Sequence, residues 1–99
     1  MKLPFDFDEE RIGMFCRKNR ILSLSVFGSA LREDFRRDSD VDVLVVFEPG
    51  HEPGFMGLAG MERELSVLLG RKVDMRTPED LSELFRDEVI SRAETMYAA

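Results

Sequence analysis

Ser39-Asp40-Val41-Asp42-Val43 sets two carboxylates two residues apart at the head of a valine-rich run. Side chains alternate faces along a strand, so Asp40 and Asp42 point one way and Val41 the other. Two ionised carboxylates roughly 4–5 Å apart repel by about 3–4 kcal/mol at an effective dielectric near 20. A cation offsets that repulsion. Mg²⁺ suits the position, because it takes hard oxygen ligands, usually one or two carboxylates with phosphate oxygens and water. Without a ligand, the same pair reads as the solvated head of a strand.

Asp74 bears on that choice. The run Val41-Asp42-Val43-Leu44-Val45-Val46-Phe47 and the segment Arg71-Lys72-Val73-Asp74-Met75-Arg76 flank a helical stretch. A strand–helix–strand unit normally leaves its strands parallel. Asp42 and Asp74 then lie near the starts of neighbouring strands, roughly 5 Å apart, and can share a metal. Read alone, Asp74 is equally an edge acid paired with Arg76.

Gly28-Ser29 ends an alternating run, Ile21-Leu22-Ser23-Leu24-Ser25-Val26-Phe27, and opens a short helix. Glycine lets a backbone approach a ligand closely, and a helix start offers N–H groups to phosphate. By itself the pair also reads as a turn with Ser29 as a cap. If the first strand is antiparallel to the second, Gly28 and Ser29 meet Asp40 and Asp42 at one sheet edge. Arg32, Arg36 and Arg37 cluster just beyond; guanidinium suits phosphate recognition, and a solvated loop is the plainer alternative.

Several elements must position these residues. A first helix is predicted over 8–19, capped by Asp6 or Asp8, with Ile12, Phe15 and Cys16 inward. The strand at 21–27 follows, then a short helix from 29 to about 36. The strand Val41–Phe47 has four valines and a continuous apolar run, which predicts burial on both faces. A helix over 56–69 carries Leu58, Met61, Leu65, Leu68 and Leu69 on one face and ends at Gly70. The strand around 71–76 leads into Thr77-Pro78-Glu79-Asp80, a capped helix start. The last helix is expected to turn Leu81, Leu84, Phe85 and Val89 inward. Thr95-Met96-Tyr97 is either a final edge strand or the helix end. This alternation predicts an α/β (α+β) domain over 1–99, with a small mixed β-sheet of three or four strands packed against helices.

Composition narrows the function classes. The chain has 99 residues, 43% apolar and 34% charged, with a net charge of −6. That balance argues against general nucleic-acid binding, which rests on basic patches. No apolar run reaches the roughly 20 residues of a membrane span, and the start lacks a secretory apolar stretch. The expected location is therefore cytoplasmic. Cys16 and His51 are single, so no internal disulfide or Cys/His zinc site is expected.

Phe27-Gly28-Ser29, ten further residues, then Asp40-Val41-Asp42 on a valine strand resembles the signature of the polymerase-β-type nucleotidyltransferase superfamily. The stretch from Phe27 to Val45, with Val73-Asp74 and Thr77-Pro78-Glu79-Asp80-Leu81, is similar to its minimal nucleotidyltransferase (MNT) branch. Glu33 departs from the glycine of many relatives, outside the expected metal ligands. The resemblance implies the nucleotidyltransferase fold and transfer of a nucleoside monophosphate, AMP from ATP, to a hydroxyl. It implies that Asp40, Asp42 and Asp74 are catalytic and hold Mg²⁺, two ions in all. Gly28, Ser29 and Arg32 would then bind the nucleotide. Two-metal sites stabilise attacking and leaving oxygens of an in-line displacement. Relatives in this branch work as antitoxins beside a helical HEPN-type toxin, which implies that partner as the acceptor. Contact-only neutralisation and nucleotidylation of a small molecule are the alternatives for function, and self-association as a homo-oligomer is the plainer alternative to a HEPN-type partner.

Overall fold

The computed structural model describes residues 3–32, 35–36 and 38–99, with Ser29 described by its backbone alone. Glu33 and Arg37 lie outside the described residues.

Helix α1 (Glu9–Lys18) begins where Asp8 accepts hydrogen bonds from the N–H groups of Glu10 and Arg11, at 3.0 and 3.1 Å. Glu9 and Glu10 stand at its positive end, Arg17 and Lys18 at its negative end, as the macrodipole favours. Strand β1 (Ile21–Phe27) pairs antiparallel with β2 (Val41–Phe47). A bulge between Ile21 and Ser23 breaks the simple alternation, so Ile21 and Leu24 both face inward. Helix α2 (Phe55–Leu69) starts one residue earlier than expected and ends on Gly70 at φ +65°. It carries the chain to β3 (Val73–Arg76), which lies parallel to β2. Helix α3 (Arg86–Arg92) precedes β4 (Glu94–Ala98), which pairs antiparallel with β1. The order is β3-β2-β1-β4, a mixed sheet with β2 inside, and Thr95-Met96-Tyr97 belongs to the edge strand β4.

The core lies between one sheet face and the helices α1 and α2. Ile12, Phe15 and Cys16 meet Leu24 and Val26 of β1, Val41, Val43 and Val45 of β2, and Leu65 of α2. Burial of β2 on both faces does not hold. Its second face keeps Asp42 and Val46 only half-buried, with Leu44 alone buried there, because α1 and α2 both pack on the opposite side. That half-open face is where the carboxylates can meet solvent.

The inward placement of Leu84 and Phe85 is also corrected: they are 86% and 58% exposed. Thr77 starts only a 3₁₀ turn, Pro78–Asp80, whose Asp80 carboxylate accepts from the Thr77 N–H at 3.0 Å. Leu81 is extended, and α3 begins afresh at Arg86, so one helical period does not run through 78–92. Arg86 joins the two pieces by donating to the carbonyls of Pro78 and Leu81, at 2.8 and 3.1 Å.

Candidate active site

β1 delivers Phe27 opposite Asp42, and the chain then turns at Gly28. Gly28 has φ +71°, and a Cβ built there would collide with the Asp42 carboxylate. Glycine is thus required twice: for the left-handed backbone and for the carboxylate lying against it. A 3₁₀ turn, Gly28–Leu31, follows; the Ser29 side chain is outside the described residues.

Across the sheet, β2 and β3 align Asp42 directly with Asp74. Neighbouring strands stand about 4.8 Å apart, and directly paired residues share a face. Asp40 is one residue before β2, at the same sheet end, where the Val41 N–H donates to the Lys72 carbonyl at 2.8 Å. The sheet therefore brings Gly28, Asp40, Asp42 and Asp74 to one end.

The side chains themselves are not gathered into a metal cage. Among the described residues, no group of three or more acidic, histidine or cysteine side chains is arranged to hold an ion as it stands. Lys72 Nζ is 3.9 Å from an Asp40 oxygen, and Arg76 donates to Asp74 at 3.2 Å. All four side chains are at least 39% exposed, so each pair contributes about 0–1 kcal/mol and yields readily to a divalent ion. The donor chemistry fits magnesium: carboxylate oxygens throughout, two of them register partners, with a glycine cradle beneath Asp42.

Beside the Gly28 turn lies an open cleft of about 620 Å³, walled on one side by Phe27, Gly28, Leu31 and Arg32. Its other wall is α3, with Val89 and Arg92. Sequence reasoning missed that wall, because it depends on α3 packing against β1, an element far from it along the chain. A smaller hollow of about 320 Å³ opens beside Asp74, lined by Phe55, Leu58, Glu62, Arg76 and Asp80. Arg36 is exposed, and its carbonyl accepts from Arg71 at 3.1 Å.

A family model described as a nucleotidyltransferase domain matches residues 10–95. This chain belongs to the nucleotidyltransferase family. The matched span of that nucleotidyltransferase domain takes in every element from α1 to the start of β4. A candidate protein adenylyltransferase of Methanocaldococcus jannaschii is 32% identical over 76 residues, covering 77% of this chain and 80% of that protein. The solved structure of a candidate minimal nucleotidyltransferase is 33% identical with a TM-score of 0.69, covering 86% of this chain and 85% of its own. One chain of a solved complex, a tri-AMPylated Shewanella oneidensis HEPN toxin with an MNT antitoxin, shares the fold. Its TM-score is 0.65 at 18% identity, with 92% of this chain and 70% of that chain covered.

Proposed function

We propose that this nucleotidyltransferase domain moves AMP from ATP to a hydroxyl on a helical HEPN-type partner, acting as its antitoxin. The observation that carries the reading is the Asp42–Asp74 register pair beside a left-handed Gly28. The Gly28–Leu31 turn, with Ser29 and Arg32, holds the triphosphate in the neighbouring cleft. Asp40 and Asp42 hold Mg²⁺, and Asp74 completes the ligand set. Magnesium, when bound, offsets charge on the triphosphate and on the leaving pyrophosphate. Asp74 takes the acceptor hydroxyl's proton as that oxygen bonds to the α-phosphorus. The bond from the α-phosphorus to the bridging oxygen breaks, and pyrophosphate leaves.

An AMPylated HEPN toxin in the related complex supports the choice of acceptor. ATP as donor and a single reduced thiol fit the cytoplasm. Labelled ATP, Mg²⁺ and the protein encoded beside this one form the test. Label should pass to the partner, and Asp42→Asn should stop the transfer. A partner left unlabelled by the wild type overturns the enzyme reading.

That no carboxylate trio among the described residues is already arranged around an ion favours a second reading, in which the domain neutralises its partner by contact alone. In that case Asp42→Asn still neutralises the partner.

A further inference from the structure

β3 is a four-residue strand at the open edge of the sheet, yet it carries Asp74. One side of β3 is bonded to β2. The N–H groups of Val73 and Met75 point the other way, where an edge strand has no strand to meet. Here α2 supplies the missing acceptors from its side chains. Ser66 Oγ accepts from the Val73 N–H at 3.0 Å. Glu62 Oε2 accepts from the Met75 N–H at 2.7 Å. The Ser66 hydroxyl donates to the Glu62 carbonyl at 2.7 Å, which leaves its lone pairs to Val73.

The spacing explains why this works. Four helical residues rise about 6 Å, and two strand residues rise about 6.6 Å. Glu62 and Ser66 therefore match Met75 and Val73 as two rungs, with α2 running against β3. Asp74 lies between the rungs. Its neighbours on both sides are pinned to the helix, and its own backbone is aligned with Asp42. The Glu62 bond is charge-assisted and short, the stronger kind of hydrogen bond.

We infer that Glu62, with Ser66, is a positioning residue for Asp74. It works through the backbone of β3 and not as a further metal ligand or base, although it lines the hollow beside Asp74. This inference rests on the proposed function, in which Asp74 belongs to the reacting site.

The distinguishing variants are Glu62→Gln, which keeps an accepting oxygen, Glu62→Leu, which removes it, and Ser66→Ala. The full chain is used, folding is checked by circular dichroism, and three quantities are read. These are amide exchange at Val73 and Met75, Mg²⁺ affinity in the presence of a non-hydrolysable ATP analogue, and kcat and KM for transfer. Glu62→Leu should speed Met75 exchange and weaken Mg²⁺ binding. Its kcat should fall about tenfold to a hundredfold, the scale of a misplaced reacting group, while KM for ATP changes little. Glu62→Gln should keep Mg²⁺ affinity and kcat near wild type. Ser66→Ala should speed Val73 exchange and lower kcat less than Glu62→Leu.

A folded Glu62→Leu with wild-type kcat and Mg²⁺ affinity overturns the inference. So does Glu62→Gln losing as much as Glu62→Leu, which would make Glu62 a ligand or base. If Glu62→Leu does not fold, unchanged Val73 exchange in Ser66→Ala overturns it. An inactive wild type would sink the enzyme reading alone, because exchange and Mg²⁺ affinity need no turnover.

Discussion

At the scale of single residues, Gly28 is the most constrained position near the site. Gly28→Ala would force a side chain into left-handed backbone and against the Asp42 carboxylate. We expect a loss of about 1–3 kcal/mol, read as a lower Tm, together with weaker triphosphate binding. Asp42→Asn keeps the size but removes a charge. Calorimetry should show triphosphate affinity at least about tenfold weaker with Mg²⁺ and little changed without it. Cys16 makes a prediction of a different kind. Burial pushes its thiol from 9.0 up to about 12, against a smaller downward pull from Arg17. The unfolded chain therefore loses this proton before the folded one does. The resulting stabilisation is complete below 9.0 and is lost as pH climbs towards 12. The Tm advantage of wild type over Cys16→Ala should shrink across that window. Equal advantage at pH 8 and pH 11 would contradict it.

At the scale of elements, the segment from Thr77 to Arg92 depends on one arginine. Arg86 ties the Pro78–Asp80 turn to α3 through two carbonyls. Arg86→Ala should cost about 1–3 kcal/mol and open residues 81–85 to limited proteolysis, with cleavage followed by mass spectrometry. The strands and the first two helices were legible because their periodicity matches their burial. Val41, Val43 and Val45 face the helices, and Leu65 and Leu69 sit on the buried stripe of α2. The last helix was not legible. Leu81, Leu84, Phe85 and Val89 imitate a helical stripe, yet the chain breaks at Leu81 and resets its phase. Periodicity records spacing along the chain and cannot register such a break.

For the whole molecule, the apolar surface lies elsewhere than its ends. Phe5, Phe7, Met96 and Tyr97 flank the main elements but are partly buried and pack against the core. Phe5 also stacks near Phe35 at 6.3 Å, and the Arg71 guanidinium lies 4.8 Å from the Phe35 ring. Among the described residues the most exposed large apolar side chains are Phe55 at 88%, Leu84 at 86%, Met56 at 85% and Val67 at 82%. Replacing Phe55 and Leu84 with serine should leave stability within about 0.5 kcal/mol, since neither fills the core. If the partner binds there, co-purification should weaken while the domain's own Tm holds.

The sequence by itself determined the residue types, their order and most of the secondary structure. Alternation, valine content, the Asp8 cap and the Gly70 stop are local signals, and local chemistry settles them. It also named Gly28, Asp40, Asp42 and Asp74 from type and spacing. Only the tertiary structure decided that Asp42 and Asp74 are register partners, because register depends on how α2 returns the chain to the sheet. The same holds for Lys72 beside Asp40, for α3 as the second wall of the cleft, and for Glu62 and Ser66 on the edge of β3. Each of these is a contact between residues far apart in sequence or on different elements, and no pattern within one segment encodes it.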